Sequence, residues 1–182
     1  KYFVRKNNID KSLFKNEKST IGIVSAGKNW LDLMSSLAML GLNENKCKEL
    51  GITCYKVGVI WPLEDKNFKI WAKNLNTIII IEEKRKILED QIKNILFNEN
   101  KRPNVYGEFD EDGNNLFPSS YSLNPNQIIK VISSFVYKVT NQKISKSVTS
   151  RKVEDSLIHS KVNYDPRKPY FCAGCPHNSS TI

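Results

Sequence analysis

Short apolar runs alternate with stripes of apolar residues spaced three and four apart, and this alternation runs from residue 21 to residue 139. Residues 21–24 (Ile-Gly-Ile-Val) read as a strand that ends at Ser25-Ala26-Gly27. Trp30, Leu33, Met34 and Leu37 follow at helical spacing, so a helix is predicted with Asn29 as its cap, Asp32 in its first turn and Gly41 as its stop. A second short helix is expected over residues 43–50, ending at Gly51, and then a strand over residues 54–60 that breaks at Trp61-Pro62. Phe68, Trp71, Ala72 and Leu75 form the next stripe. The β-branched run 77–81 has the composition of a strand covered on both faces, with Glu82-Glu83 at its end.

The helix predicted over residues 85–97 turns Leu88, Ile92, Ile95 and Leu96 inward. It places Glu89 and Lys93 outside as an i,i+4 pair, and puts Glu89 and Gln91 on a solvated or interface face. A short strand is expected over residues 104–107. Asp110-Glu111-Asp112-Gly113 is a turn whose acidic spacing is not that of a calcium loop. Asn124-Pro125-Asn126-Gln127 is a strong helix start, and the helix should bury Ile128, Val131, Ile132, Phe135 and Val139.

Alternating strands and helices joined by short turns imply an α/β fold: an open, mostly parallel sheet flanked by helices. Right-handed crossovers would gather Ser25 to Gly27, Trp61-Pro62 and Glu82-Glu83 at one sheet edge, where ligands or partner domains dock. The expected organisation is a polar lead-in over residues 1–18, partly helical around Leu13-Phe14, and an α/β domain over 19–140. A polar linker over 141–168 and a Cys-containing tail over 169–182 complete it.

Composition changes this picture little. The net charge of +9 and a pI near 9.3 suggest nucleic acid, but the lysines are spread over nearly every predicted element, so a solvated surface is the reading preferred and no nucleic-acid partner is expected. The four-isoleucine run is far too short to span a membrane. The first residues are not followed by an apolar segment of the kind a signal peptide has, so a cytoplasmic, thiol-reducing setting is expected.

Few residues carry chemistry. Gly22 to Asn29 nearly spells a phosphate loop, yet Asn29 stands where Ser or Thr would hold Mg²⁺, and Gly22 lies within the strand. Adjacent Glu82 and Glu83 would diverge and form no acid/base dyad; one of them is expected near the next helix N-terminus. His159 falls in the linker, and no catalytic residue is assigned. Cys47 and Cys54 are separated by helix and strand. Cys172-Ala173-Gly174-Cys175, followed by Pro176-His177, is the sharp signal: either two thiolates that bite one metal or cluster as half of a four-ligand site, or a redox dithiol.

That tail, with Tyr170-Phe171 before it and Asn178-Ser179-Ser180-Thr181 after, resembles the segment that opens the thiamine-diphosphate domain of fused indolepyruvate (2-oxo acid):ferredoxin oxidoreductases. Gly22 to Lys28, Leu50-Gly51-Ile52, Tyr55-Lys56-Val57-Gly58, Trp61-Pro62-Leu63-Glu64, Ile81-Glu82-Glu83-Lys84-Arg85, Glu89-Asp90-Gln91 and Arg102-Pro103 continue the resemblance in order. It implies a transketolase C-terminal-like domain that packs between catalytic domains, and then the start of a truncated thiamine-diphosphate/iron–sulfur domain.

The implied parent enzyme decarboxylates an arylpyruvate or related small-molecule 2-oxo acid oxidatively. It uses thiamine diphosphate with Mg²⁺ and [4Fe–4S] clusters, coenzyme A as co-substrate and ferredoxin as electron acceptor. By resemblance Cys172 and Cys175 are two ligands of a [4Fe–4S] cluster, and His177 lies near that cluster and the thiamine. The implied partners are the remaining domains of the parent enzyme, ferredoxin and a second copy in a homodimer. The chain lacks a Mg²⁺–diphosphate motif and further cluster ligands, so it is expected to be inactive alone, a fragment that binds no cofactor completely. The competing reading is a small basic metal-binding or interaction module built on the C-x-x-C tail.

Overall fold

Three neighbouring strands are covered on both faces, Lys56 being their one exposed residue, and this sets the architecture. The computed structural model describes residues 1–117 and 122–144. Strand β2 (Ile21–Ala26), β3 (Ile52–Val57) and β4 (Thr77–Ile81) form the centre of a five-stranded sheet of order β1-β3-β2-β4-β5. The short β1 (Lys11–Leu13) runs antiparallel at one edge, and β5 (Asn104–Tyr106) runs parallel to β4 at the other. In register, Ile21 lies opposite Ile52 on one side and Thr77 on the other.

Because strand side chains alternate, the isoleucines divide between two cores. Ile21, Ile23, Ile52, Cys54, Ile79 and Ile81 face α2 (Gly27–Met39), α3 (Glu44–Glu49) and α6 (Pro125–Thr140). Val24, Tyr55, Val57, Ile78 and Ile80 face α4 (Asp65–Ala72) and α5 (Ile87–Leu96). The result is the expected mostly parallel sheet between helical layers. Asn124 and Gln127 form a reciprocal capping box on α6, with Pro125 in its first turn, as its sequence predicts.

The second core is built around Gly22. A Cβ there would lie 2.7 Å from both Trp71 Cη2 and Leu75 Cδ1, so the absent side chain lets the Trp71 ring lie against the strand. The indole N–H donates to Thr53 Oγ1 at 3.0 Å, and the Thr53 hydroxyl donates to the Leu13 carbonyl at 2.8 Å. Tyr55 and Phe68 pack on Trp71 with ring centroids 5.0 and 5.4 Å away. Helix α4 is capped by Glu64, which accepts from Lys66 and Asn67 N–H and from the Arg5 guanidinium at 2.8 Å.

Four expectations are corrected. The lead-in is not featureless: it holds α1 (Tyr2–Lys6) and β1, and Leu13 ends a strand where a helix was expected. A five-residue helix with one buried side chain, Val4, and a three-residue edge strand are too short to print a period. Asn29 does not cap α2; the cap residue is Ala26, and the helix begins at Gly27, whose φ is +54°. Glu89 is not solvated but 4 % exposed; it still pairs with Lys93, and its other oxygen accepts the Glu108 N–H at 3.0 Å. Val139, in the final turn of α6, is 39 % exposed.

Gly22→Ala should lower the urea midpoint with an unchanged m-value, corresponding to about 1–3 kcal/mol of overpacking against Trp71 and Leu75. An unshifted midpoint would show that Trp71 can retreat without loss.

Candidate functional site

The parallel strands β2, β3 and β4 end on one side of the sheet, at Ala26, Val57 and Ile81. This is the edge at which open α/β folds place their ligands. It is built from the turn into α2, the loop 58–64 with its cis Trp61–Pro62 bond, and the loop 82–86. Ser25 in β2 donates to the Ile81 carbonyl at 3.1 Å and ties the two central strand ends together.

The adjacent glutamates diverge as the sequence implies. Glu82 accepts the Leu88 N–H at 2.9 Å and the Glu89 N–H at 3.4 Å, serving α5 as a cap where Lys86 offers none. Burial pushes its carboxyl above the ordinary range, against the pull of those N–H donors. Glu83 turns to the other helical layer. Its Oε1 accepts from Leu123 N–H at 2.8 Å and Lys28 Nζ at 3.2 Å, and the Asn29 amide, oriented to satisfy both groups, bridges its N–H and its carboxylate. Burial would raise Glu83, but the Leu123 N–H and Lys28 hold it below the usual value. Lys28 also pairs with Asp32 at 2.7 Å.

This network answers the nucleotide question. Lys28 is engaged with two carboxylates, and Gly22 lies under Trp71, so the near-phosphate loop presents neither a free ammonium nor a glycine cradle. Glu82 and Glu83 reach different helices and share no reacting atom.

Cys47 on α3 and Cys54 on β3 both belong to the first core and are fully buried. Burial pushes the Cys47 thiol up to about 11 and the Cys54 thiol higher still, so neither is suited to a metal or cluster thiolate. Among the described residues there is no group of three or more His, Cys, Asp or Glu side chains that could hold a metal. Cys172, Cys175, His177 and His159 lie outside the described residues.

The sequence placed Trp61-Pro62 at this edge and Gln91 on a solvated or interface face, but not the contacts that they make. Gln91 donates through Nε2 to the carbonyls of Ile60 and Ile87, both at 2.9 Å, and accepts the Leu63 N–H at 2.8 Å, so it clamps loop 58–64 to α5. Trp61 points outward and is 71 % exposed. Gln91 carried no signal beyond its place on an outer helix face. The Trp61-Pro62 pair did signal a chain break.

Residues 11–156 match the family model described as the indolepyruvate oxidoreductase domain. The chain is 22 % identical over 164 residues to indolepyruvate oxidoreductase subunit IorA of Pyrococcus horikoshii, covering 90 % of this chain and 22 % of that protein. It is 23 % identical over 164 residues to the same-named subunit of Thermococcus kodakarensis, with 90 % and 22 % covered. The chain therefore spans 22 % of the length of these curated relatives. Among solved structures, a 2-oxoglutarate:ferredoxin oxidoreductase from Magnetococcus marinus superposes with a TM-score of 0.48 at 12 % identity, covering 74 % of this chain and 22 % of that one. That likeness is too distant to carry an argument.

Two outcomes check the site. Iodoacetamide at mildly alkaline pH should leave Cys47 and Cys54 unmodified in the native protein and label both in denaturant, as read by mass mapping of their peptides; native labelling of either would contradict their burial. For Glu82, a folded pKa above the unfolded 4.5 means that its linked stability is complete below 4.5 and is lost as pH rises through the folded value. The urea midpoint of the native protein should thus fall relative to that of Glu82→Gln over this interval, and a pH-independent difference would contradict the shift.

Proposed function

The chain belongs to the indolepyruvate oxidoreductase domain family, and on that footing we propose that it is one domain of a larger 2-oxo acid:ferredoxin oxidoreductase, a rigid packing and docking unit. One observation carries the docking role. At the sheet edge where an α/β enzyme would hold its reactive groups, Glu82 is engaged in capping α5, and Glu83, Lys28 and Asn29 are engaged with one another.

In this reading the parent enzyme converts indolepyruvate or another arylpyruvate to an acyl-CoA and carbon dioxide and passes electrons to ferredoxin. Thiamine diphosphate with Mg²⁺ supplies the electron sink for decarboxylation, and [4Fe–4S] clusters supply the path for electrons. The described residues hold no group of three or more His, Cys, Asp or Glu side chains that could hold a metal, so in this reading the cluster and the Mg²⁺ of the thiamine site lie outside them. Cys172 and Cys175 of the tail are proposed as two thiolate ligands of one cluster, with His177 beside it. The domain boundaries proposed are those of the sequence: 19–140 for the packing domain and 169–182 for the start of the cofactor-bearing one. A homodimer and a cytoplasmic setting complete the proposal. No helix among the described residues is long and apolar enough to cross a membrane.

An antibody raised to this chain should detect, in source cells, a polypeptide several times heavier than 20.9 kDa. A band at that mass would overturn the domain reading and favour a small module built on the C-x-x-C pair.

A further inference from the structure

A cleft of about 310 Å³ opens between the segment that carries β1 and helix α4, a size at the lower end of small-ligand pockets. Tyr55, Trp71 and Ile70 give it an apolar lining. The two aromatic residues are buried, whereas Ile70 is 71 % exposed. Asn8, Ser12 and Asn67 also line it, and none of these three side chains makes a hydrogen bond among the described residues. Their polar heads are therefore free to serve a ligand.

Two opposite charges line the same cleft without pairing with each other. Asp10 is anchored beyond the end of β3. Its Oδ1 accepts the Gly58 N–H at 2.7 Å, and its Oδ2 accepts the Tyr55 hydroxyl at 3.3 Å, which is long for such a bond. Lys15 is anchored at the C-terminal end of α4, where Nζ donates to the Trp71 carbonyl at 2.8 Å and the Lys73 carbonyl at 3.3 Å. Between these anchors Lys11, Ser12 and Leu13 run antiparallel along Lys56, Tyr55 and Cys54, so the two charges are held at opposite ends of the strand. Neither has an ion-pair partner among the described residues, while Lys1 and Arg5 of α1 are matched to Asp65 and Glu64. Burial draws the Lys15 ammonium below its ordinary value, an effect that an incoming carboxylate would offset.

A ligand with a single charge would satisfy one end of the cleft and meet a like charge at the other. A zwitterion suits both ends, and an apolar side chain on it would lie against Trp71 and Ile70. We propose that this cleft binds a small zwitterion, a free amino acid or a short peptide, with its ammonium at Asp10 and the Tyr55 hydroxyl oxygen and its carboxylate at Lys15. The proposal goes beyond the reading of the chain as an oxidoreductase domain and does not depend on it.

Titration of the isotope-labelled 182-residue chain, followed by NMR at the side-chain amides of Asn8 and Asn67 and at the Trp71 indole N–H, tests it. The ligands added are L-leucine and L-leucyl-L-leucine. At least one should shift these signals saturably, with a dissociation constant of about 1 mM or tighter. Tighter binding of leucine marks a free amino acid as the ligand, and tighter binding of the dipeptide marks a peptide. The amide of the tighter ligand lacks the carboxylate and its des-amino form lacks the ammonium, so each should bind about tenfold more weakly. Asp10→Asn, which keeps an acceptor for Gly58, should weaken the zwitterion to a similar degree and leave the des-amino form unaffected. Lys15→Gln should likewise weaken the zwitterion and leave the amide form unaffected. If either variant fails to fold, the comparison of ligands on the unaltered chain still decides. The absence of a saturable shift with both zwitterions would overturn the proposal. So would equal binding of the singly charged forms, or shifts confined to residues outside the cleft.

Discussion

The contact of Trp71 with the bare backbone of Gly22 is the constraint on which the rest of this fold depends. It lets α4 approach the sheet closely enough for an indole N–H to reach Thr53, and through Thr53 to hold the edge strand β1. Lys15 closes the same region from outside, donating to the Trp71 carbonyl at 2.8 Å and so covering the C-terminal end of α4. With both ends of α4 fixed, by Glu64 and Arg5 at one and by Lys15 at the other, the loop before it has little freedom. Trp61 is presented outward by that loop. A chain of contacts thus runs from a missing side chain in a buried strand to an indole in solvent.

The strand ends illustrate how a fold that often hosts catalysis can serve another purpose. Two carboxylates, an ammonium and an amide gather there, which is the raw material of a catalytic site. Each is engaged with a neighbour: Glu82 with the α5 backbone, and Glu83 with Lys28, Asn29 and the Leu123 N–H. Polar groups bound this tightly cost more to remove than to keep, and they make the edge stiff where a catalytic edge would need open valences. Part of the positive charge of the chain is held in local pairs in the same way, as at Lys28, Lys86 and Lys93.

The central sheet was readable because β2, β3 and β4 are covered on both sides and so print nearly continuous apolar runs, and α6 because its capping box is a local signal. The divergence of Glu82 and Glu83 was readable for the same reason, since it follows from strand geometry. What escaped was set by contacts between distant segments. Lys11 to Leu13 becomes a strand only because β3 lies beside it, and Asn29 forgoes its cap because Glu83 competes for its amide. Glu89 has an outward spacing on α5, yet β5 leads directly into residues that cover it, and no helical pattern could report that. The family was legible from ordered blocks of residues, several of which, such as Trp61 to Glu64 and Glu82 to Arg85, form the strand-end loops.

Gly107 carries a lesson about how such a domain can change over time. A Cβ at this position would fall 2.1 Å from Glu89 Oε2, so the glycine is an empty seat reserved for a carboxylate far back along the chain on α5. Neither site can drift alone. A side chain gained at 107 evicts the acid and strands Lys93 without its partner, while shortening Glu89 first opens room in which a larger residue at 107 becomes harmless. The two positions form an epistatic pair, and the order in which they mutate decides whether the path between them is open.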